Sequence, residues 1–453
     1  MHNKKEDDNL DLVPEDSNRS RGMDLPDDVR FALEMINQME VSKKENSSAE
    51  EYKNSLLSSE LLSKNSFEDL SIPENIIKAL RSLDFKNPSA IQQKSIPEIA
   101  KGDDVAFQSH SGSGKTIAFL VGALSVLDIE TKCPQIIIIT PTRDLSKQIS
   151  AVLEKFKETI DFTSLQALPD IIEERAEPEI TEQIIVGSPG TIKKILRDFK
   201  NINNVKMVIL DEADALLEED MGAQTVSVVN KIRNKQLVLF SATFSSRMKE
   251  AIAVLSKKVK TWYLEESSIK PANITQFYME VSENKKQETL RKLYELISVG
   301  QSIIFVHSRD KAADVQRDLK KDGFDSELLH GQLTKSDRDE VISRFKKGEI
   351  KVLVTTNVLS RGLDVPQLNL AVNYDMPKKI TGGPDIETYV HRIGRTGRFN
   401  RAGVSITFIT GEKDRSDLLA IQRAVGSQIK YITLEALTKA ITEKQKLEDS
   451  DDE

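Results

Sequence analysis

Eight residues, Ser109-His110-Ser111-Gly112-Ser113-Gly114-Lys115-Thr116, restrict this chain more than any other stretch. They follow the apolar run Val105-Ala106-Phe107 and precede Ile117-Ala118-Phe119-Leu120-Val121, so they read as a glycine loop between a strand and a helix. Strand, loop and helix in that order open a parallel α/β unit. The loop also gathers backbone N–H groups and a helix N-terminus at one place, where phosphate charge is stabilised. Lys115 would reach the β- and γ-phosphates, and the Thr116 hydroxyl would ligate Mg²⁺. Ser109 stands where the general motif asks for glycine.

The rest of the chain extends that unit. Strand-like runs at Val105–Phe107, Ile136–Thr140, Gln183–Gly187, Lys206–Leu210 and Gln236–Phe240 alternate with helical stretches such as Ser146–Glu158 and Thr191–Lys200. This alternation predicts a parallel sheet wrapped by helices. The polar stretch Glu265–Asn273, with Pro271, reads as a linker. The pattern then restarts with strands at Ser302–Val306, Ser326–Leu329, Lys351–Thr355, Leu370–Asn373 and Val404–Phe408, and helices near Lys285–Ile297 and Asp310–Lys321. The expected organisation is an acidic extension over 1–65, a first α/β domain over 66–266, a linker over 267–275, a second α/β domain over 276–440 and an acidic tail over 441–453.

Charge matters because the net value of −8 argues at first against a nucleic-acid partner. Residues 1–46 hold twelve acids against seven bases, and residues 441–453 hold six against two, so the body between them is close to +1. The global sign therefore excludes nothing. The extension is polar and disorder-prone, with two candidate short helices, Val29–Met39 and Ala49–Leu62, the latter carrying Leu56, Leu57, Leu61 and Leu62. Cys133 is the only cysteine, so no intrachain disulfide forms and a reducing compartment is expected. No apolar secretory segment opens the chain, and Ile136–Ile139 is far too short to span a bilayer, so a soluble protein without membrane insertion is expected.

Lys206-Met207-Val208-Ile209-Leu210 runs into Asp211-Glu212-Ala213-Asp214. A buried strand ending in an acid puts that carboxylate at the carboxyl edge of the sheet, beside the phosphate loop. Asp211 would hold Mg²⁺, and Glu212 would orient and deprotonate an attacking water. Spelled this way and preceded by such a loop, the stretch resembles the signature of the DEAD-box RNA helicases of superfamily two, over about residues 66–440. The resemblance implies an α/β fold of two RecA-like parallel-sheet domains joined by a short linker, after a largely disordered N-terminal extension. It also implies an enzyme that hydrolyses ATP with Mg²⁺ while holding single-stranded RNA.

Further motifs follow in the family's order. Phe85-Lys86-Asn87-Pro88-Ser89-Ala90-Ile91-Gln92 resembles the adenine-reading segment: the Gln92 amide matches adenine N6 and N7, Phe85 would stack on the base, and Asp84 replaces a usual glycine. With Ser109, His110, Ser111, Gly112, Ser113, Gly114, Lys115 and Thr116, and with Asp364 on the ribose, these residues form the implied nucleotide site. Pro141-Thr142-Arg143-Asp144-Leu145 and Ser188-Pro189-Gly190-Thr191 resemble segments that grip RNA phosphates, contacts that carry no sequence information. Arg338 and Thr355 are the implied RNA residues of the second domain. Asp214, Ser241-Ala242-Thr243 and His391 are implied to couple nucleotide state to domain closure. Arg395 and Arg398, in His391-Arg392-Ile393-Gly394-Arg395-Thr396-Gly397-Arg398, would reach the γ-phosphate as fingers.

Within the family, Thr191 in place of arginine, Leu168-Pro169-Asp170 in place of a Gly-Gly pair, and the insertion Thr381-Gly382-Gly383-Pro384-Asp385 are most similar to the mRNA-export helicases of the nuclear pore. That resemblance implies a monomer acting on messenger ribonucleoprotein, in cytoplasm and nucleus and concentrated at the pore's cytoplasmic face. Its implied partners are an export activator bound to inositol hexakisphosphate and a cytoplasmic nucleoporin. Two alternatives stay open: a translation-initiation-type helicase, which shares the catalytic residues, and a non-hydrolysing ATP-gated RNA clamp.

Overall fold

The computed structural model describes residues 66–109, 112–175, 179–198, 204–217, 219–244, 246–263, 274–297, 300–356, 368–379, 382–396 and 403–439. The expected helices Val29–Met39 and Ala49–Leu62, the stretch Glu265–Asn273 and the acidic tail lie outside these residues.

The first unit holds β1 (Val105–Gln108), β2 (Ile136–Ile139), β3 (Ser164–Ala167), β4 (Ile184–Gly187), β5 (Met207–Asp211), β6 (Gln236–Ser241) and β7 (Lys260–Tyr263). The second holds β8 (Ile274–Glu280), β9 (Gln301–Phe305), β10 (Ser326–Leu329), β11 (Val352–Thr355), β12 (Leu368–Asn373), β13 (Gly403–Ile409) and β14 (Lys430–Tyr431). The sheets run β3-β4-β2-β5-β6-β1-β7 and β10-β11-β9-β12-β13-β8-β14. Adding seven to each label of the first order reproduces the second. Every pairing within them is parallel, as in β1 against β6 and β8 against β13.

The central strands are apolar on both faces because helices cover both sides of a parallel sheet. Ile136 and Ile138 pack into one core layer, and Ile137 and Ile139 pack into the layer on the opposite face. The second sheet splits Ile304 from Ile303 and Phe305 in the same way. Each fully buried aliphatic contributes about 1.5–3 kcal/mol through area removed from water.

The ten expected strands are all present, within one or two residues at their ends. Four others carry no apolar run to announce them. β3 alternates half-buried and buried positions, β7 begins Lys260-Thr261, β8 mixes Thr275 and Gln276 with its aromatics, and β14 has two residues. β3, β7, β10 and β14 are edge strands, where one side of the ladder needs no covering. Helices begin at the motif residues: Lys115–Leu124 after β1, Arg143–Lys157 after β2, Pro189–Asp198 after β4 and Arg309–Lys321 after β9. The carboxyl edge of each sheet therefore collects the candidate functional side chains.

Candidate active site

At the end of β1 the backbone turns through two left-handed glycines, Gly112 (φ 83°) and Gly114 (φ 93°), into helix Lys115–Leu124. Ser109 N donates to Ser241 O at 2.9 Å, which fastens the loop to β6. Lys115 Nζ donates to Ser109 O at 2.9 Å, and the Ser109 hydroxyl donates to Ser113 Oγ at 2.5 Å. Helix Ala90–Ala100 braces the loop from the side. Gln92 Nε2 donates to Gly114 O (3.2 Å), Gln92 Oε1 accepts from Ser89 N (2.9 Å), and Ser89 Oγ donates to Ser113 O (2.8 Å). A Cβ on Gly114 would lie 2.5 Å from Gln92 Nε2, so close approach and positive φ both require glycine there.

These bonds use one N–H and one lone pair of the Gln92 amide, leaving one of each for a base. Phe85 is half-buried against the core of the first unit. On the same helix as Gln92, Lys94 Nζ sits 3.7 Å over the ring of Trp262 in β7. His110, Ser111, Asp364 and Arg398 lie outside the described residues.

β5 delivers the acidic box. Asp211 is buried, and its Oδ1 accepts from Glu212 N at 3.0 Å. Burial pushes the Asp211 carboxyl up to about 7; Lys115 opposes this and the Glu212 carboxylate adds to it. Glu212 adopts φ 52° and ψ 53°, a left-handed conformation that costs a non-glycine residue about 1 kcal/mol or more. Its Oε2 is buried without a hydrogen-bond partner. Among the described residues no cluster of three or more His, Cys, Asp or Glu side chains could hold a metal. Mg²⁺ takes one or two carboxylates and fills its octahedron with water and phosphate oxygens. The half-buried Thr116 hydroxyl and the under-compensated Asp211 are the donors such an ion takes.

The two units meet beside this box. Ser241 Oγ accepts from Asp214 N (3.2 Å) and donates to Thr243 O (2.8 Å), while Thr243 Oγ1 donates to Asp214 Oδ2 (3.1 Å). The same Asp214 oxygen lies 3.1 Å from His391 Nε2, which reaches over from helix Ile386–Ile393 of the second unit. A carboxylate only accepts, so Nε2 carries the proton. Both side chains are almost fully buried. Arg395 is buried on the next turn and donates Nε to His391 O at 2.9 Å. Arg392 anchors this segment: Nη1 donates to Asn373 Oδ1 (3.0 Å) and Asp375 O (2.9 Å), and the guanidinium lies 5.0 Å from the Phe305 ring centroid. Burial draws its pKa down to about 9.

The implied RNA residues divide into two kinds. Arg143 is exposed at the start of its helix, where Thr142 Oγ1 caps by accepting from Leu145 N at 3.3 Å. Pro189 and Gly190 open helix Pro189–Asp198 with Gly190 exposed, and Arg338 donates Nη2 to Gly331 O at 3.4 Å. Two of the expected residues, Thr355 and Thr191, turn their side chains inward. Thr355 is fully buried, with its hydroxyl within donating distance of Leu329 O (2.7 Å) and Thr356 O (2.9 Å). Thr191 is buried, with its hydroxyl 3.2 Å from Ser188 Oγ. In both cases an internal carbonyl or hydroxyl satisfies the group and directs it inward.

Thr356, one residue on, instead lines a cavity of about 410 Å³ with Ser308, Arg309, Gly331 and Gln332. Ser308 ends the stretch Ser302–Ser308, which resembles a motif opening the family's second domain, and Arg309 is not singled out by the sequence. They repeat Thr142 and Arg143: a hydroxyl cap (Ser308 Oγ accepting from Lys311 N at 3.2 Å) followed by an arginine at the first helical position after the equivalent strand. Ser-Arg-Asp against Thr-Arg-Asp was the signal available.

Comparison with known proteins supplies a second line of observation. Residues 89–251 match the family model of the DEAD/DEAH box helicases, and residues 285–400 match that of the helicase conserved C-terminal domain. ATP-dependent RNA helicase DBP5 of Mycosarcoma maydis is 39% identical over 378 residues, 82% of either chain. S. cerevisiae Dbp5 bound to RNA and ADP BeF3 superposes with a TM-score of 0.77 at 34% identity, covering 83% of this chain and 99% of its own. A variant of that protein bound to nup159, gle1, IP6 and ADP gives 0.60 at 32% identity, covering 83% and 100%.

Proposed function

The chain belongs to the DEAD-box ATP-dependent RNA helicases, and from that premise we propose that it remodels messenger ribonucleoprotein during export at the cytoplasmic face of the nuclear pore. The observation that carries the mechanism is the buried Asp214–His391 contact, which ties the acidic box of one unit to the arginine segment of the other.

Lys115 and the N–H groups of the loop hold the phosphates, while Gln92 and Phe85 select the base. Mg²⁺ held by Thr116 and Asp211 would neutralise charge on the β- and γ-phosphate oxygens. Glu212 orients the attacking water and takes its proton. Arg395, with Arg398, stabilises charge on the transferred phosphoryl group, an effect worth roughly 10³–10⁵ in rate. Because those arginines belong to the second unit, hydrolysis waits for closure. Thr142, Arg143, Pro189, Gly190 and Arg338 hold the sugar-phosphate backbone, so binding is weakly sequence-selective and strongly salt-dependent.

The pore assignment is supported by S. cerevisiae Dbp5, which has been solved with nup159, gle1 and IP6. By extension, a gle1-type activator with inositol hexakisphosphate and a cytoplasmic nucleoporin are the partners here. No helix among the described residues is long and apolar enough to cross a membrane.

RNA-stimulated phosphate release, compared between wild type and Glu212→Gln, tests the chemistry. Stimulated release that the substitution abolishes is expected, and equal traces would leave a non-hydrolysing clamp. Adding the activator with inositol hexakisphosphate tests the setting. A rise in turnover is expected, and no rise favours the translation-initiation type. Removing residues 1–65 raises basal turnover if that extension restrains closure.

A further inference from the structure

Away from the nucleotide cleft, a second pair of side chains joins the two units. Lys147 lies one turn beyond Arg143 on helix Arg143–Lys157, on the same helix face. Asp339 follows Arg338 directly on helix Lys335–Lys346. Lys147 Nζ donates to Asp339 Oδ2 at 2.9 Å, with the side chains 35% and 41% exposed. The N-terminal parts of two helices, one from each unit, are thus held together where each presents an arginine assigned above to RNA phosphate.

We propose that Lys147 and Asp339 are positioning residues for RNA: their ion pair forms as the cleft closes, sets the spacing of Arg143 and Arg338, and cancels a carboxylate that otherwise repels the RNA backbone. The inference rests on the RNA-helicase reading of the preceding section.

With the units apart, Asp339 loses Lys147 and its negative charge stands beside Arg338. Its field falls off over about 10 Å at ordinary ionic strength, so it opposes the attraction of Arg338 for phosphate. Closure brings in Lys147 and removes that opposition. RNA affinity therefore rises on closure even for phosphates that gain no new contact, and by linkage RNA favours closure by the same factor. A pair this exposed is screened and is worth about two- to fivefold in an equilibrium constant. It tunes coupling and does not carry catalysis.

The test uses the full chain and a fluorescent single-stranded uridine RNA of about ten nucleotides, with anisotropy read with and without ADP–beryllofluoride. The ratio of the two affinities is the coupling. Lys147→Glu and Asp339→Lys are each expected to lower the ratio about two- to fivefold. Asp339→Lys does so by strengthening nucleotide-free binding, since it adds a cation facing phosphate. The double swap is expected to restore the wild-type ratio. A double swap no better than the product of the single changes, alongside a normal wild-type ratio, overturns the pair. A wild-type ratio of one overturns the underlying helicase reading and the proposal with it.

Discussion

Helices Lys115–Leu124 and Lys286–Leu296 follow β1 and β8, strands that hold the same position in two sheets of identical order, and each begins with a lysine. In the first unit the loop turns through Gly112 and Gly114, Lys115 donates to a backbone carbonyl, and the nearby Asp211 is held well above the usual carboxylate range by burial. In the second unit residues 281–285 contain no glycine and coil as a short 3₁₀ turn. There Lys286 is almost fully buried and bridges Glu283 at 2.8 Å and Asp375 at 2.9 Å. Burial pushes Asp375 up, but Lys286 and the His307 N–H outweigh it, and the carboxyl ends below its ordinary value. A cavity of about 420 Å³ lies at this edge, yet the charges of Lys286, Lys311 and Lys378 are matched by Glu283, Asp375 and Asp414. Two copies of one topology thus differ in what surrounds the lysine: a glycine loop and the raised Asp211 carboxyl in the first, a bridge to Glu283 and Asp375 in the second. The glycine loop marks the first edge as the phosphate site proposed above, and the second edge has closed on itself.

Exchanging the fates of the two lysines gives the largest effects. Lys115→Ala is expected to lower RNA-stimulated turnover about 10²–10³-fold, the cost of removing one preorganised charge donor, with little change in denaturation midpoint. Lys286→Ala is expected to destabilise the second unit by about 3–5 kcal/mol, because Asp375 is left buried and unpaired. Urea unfolding of the full chain, read alongside phosphate release, separates the two. Equal loss of stability from both would dissolve the contrast.

The carboxylates should respond with opposite signs. A folded pKa raised above its unfolded value means that ionised Asp211 opposes folding above the ordinary carboxylate range, whereas the lowered pKa of Asp375 contributes stability there. In chelator, without nucleotide, at pH 8, Asp211→Asn is expected to stabilise the protein by about 1–3 kcal/mol while abolishing turnover. Asp375→Asn is expected to destabilise it. The contribution of Asp375 is complete above the unfolded value near 3.8 and disappears as pH falls through the lower folded value, so its variant shows a flatter acid limb. Thermal melts across pH 3–8 check both signs.

Smaller effects lie in the backbone. Gly114→Ala forces a Cβ against Gln92 at positive φ and is expected to cost about 1–2 kcal/mol, read as weaker ATP binding by titration. At the other extreme, Asp84 closes helix Glu74–Ser82 with φ 64°, the place where glycine is favoured. Asp84→Gly is expected to stabilise the first unit by about 0.5–1 kcal/mol, visible as a small rise in melting temperature.

What could be read from the sequence follows the range of each interaction. Apolar runs announced the central strands because burial on both faces demands them, and the phosphate loop and acidic box announced themselves through residue type at fixed spacing. The edge strand β7 and the interior β8, whose apolar run is interrupted by Thr275 and Gln276, left no such trace. The inward turn of Thr355, the left-handed backbone of Glu212 and the ion pair inside the second copy depend on neighbours far away along the chain. Asp214 and His391 lie 177 positions apart, and only the folded sheets bring them within 3.1 Å.

The stacking of Lys94 on Trp262 has a practical consequence. Trp262 is the sole tryptophan of the chain, and the ammonium above it rides on the same helix as Gln92, which braces the phosphate loop. Any shift of that helix on nucleotide docking moves a charge across the face of the one indole. The protein therefore contains its own optical gauge of the base pocket, readable by ultraviolet emission without attaching a dye.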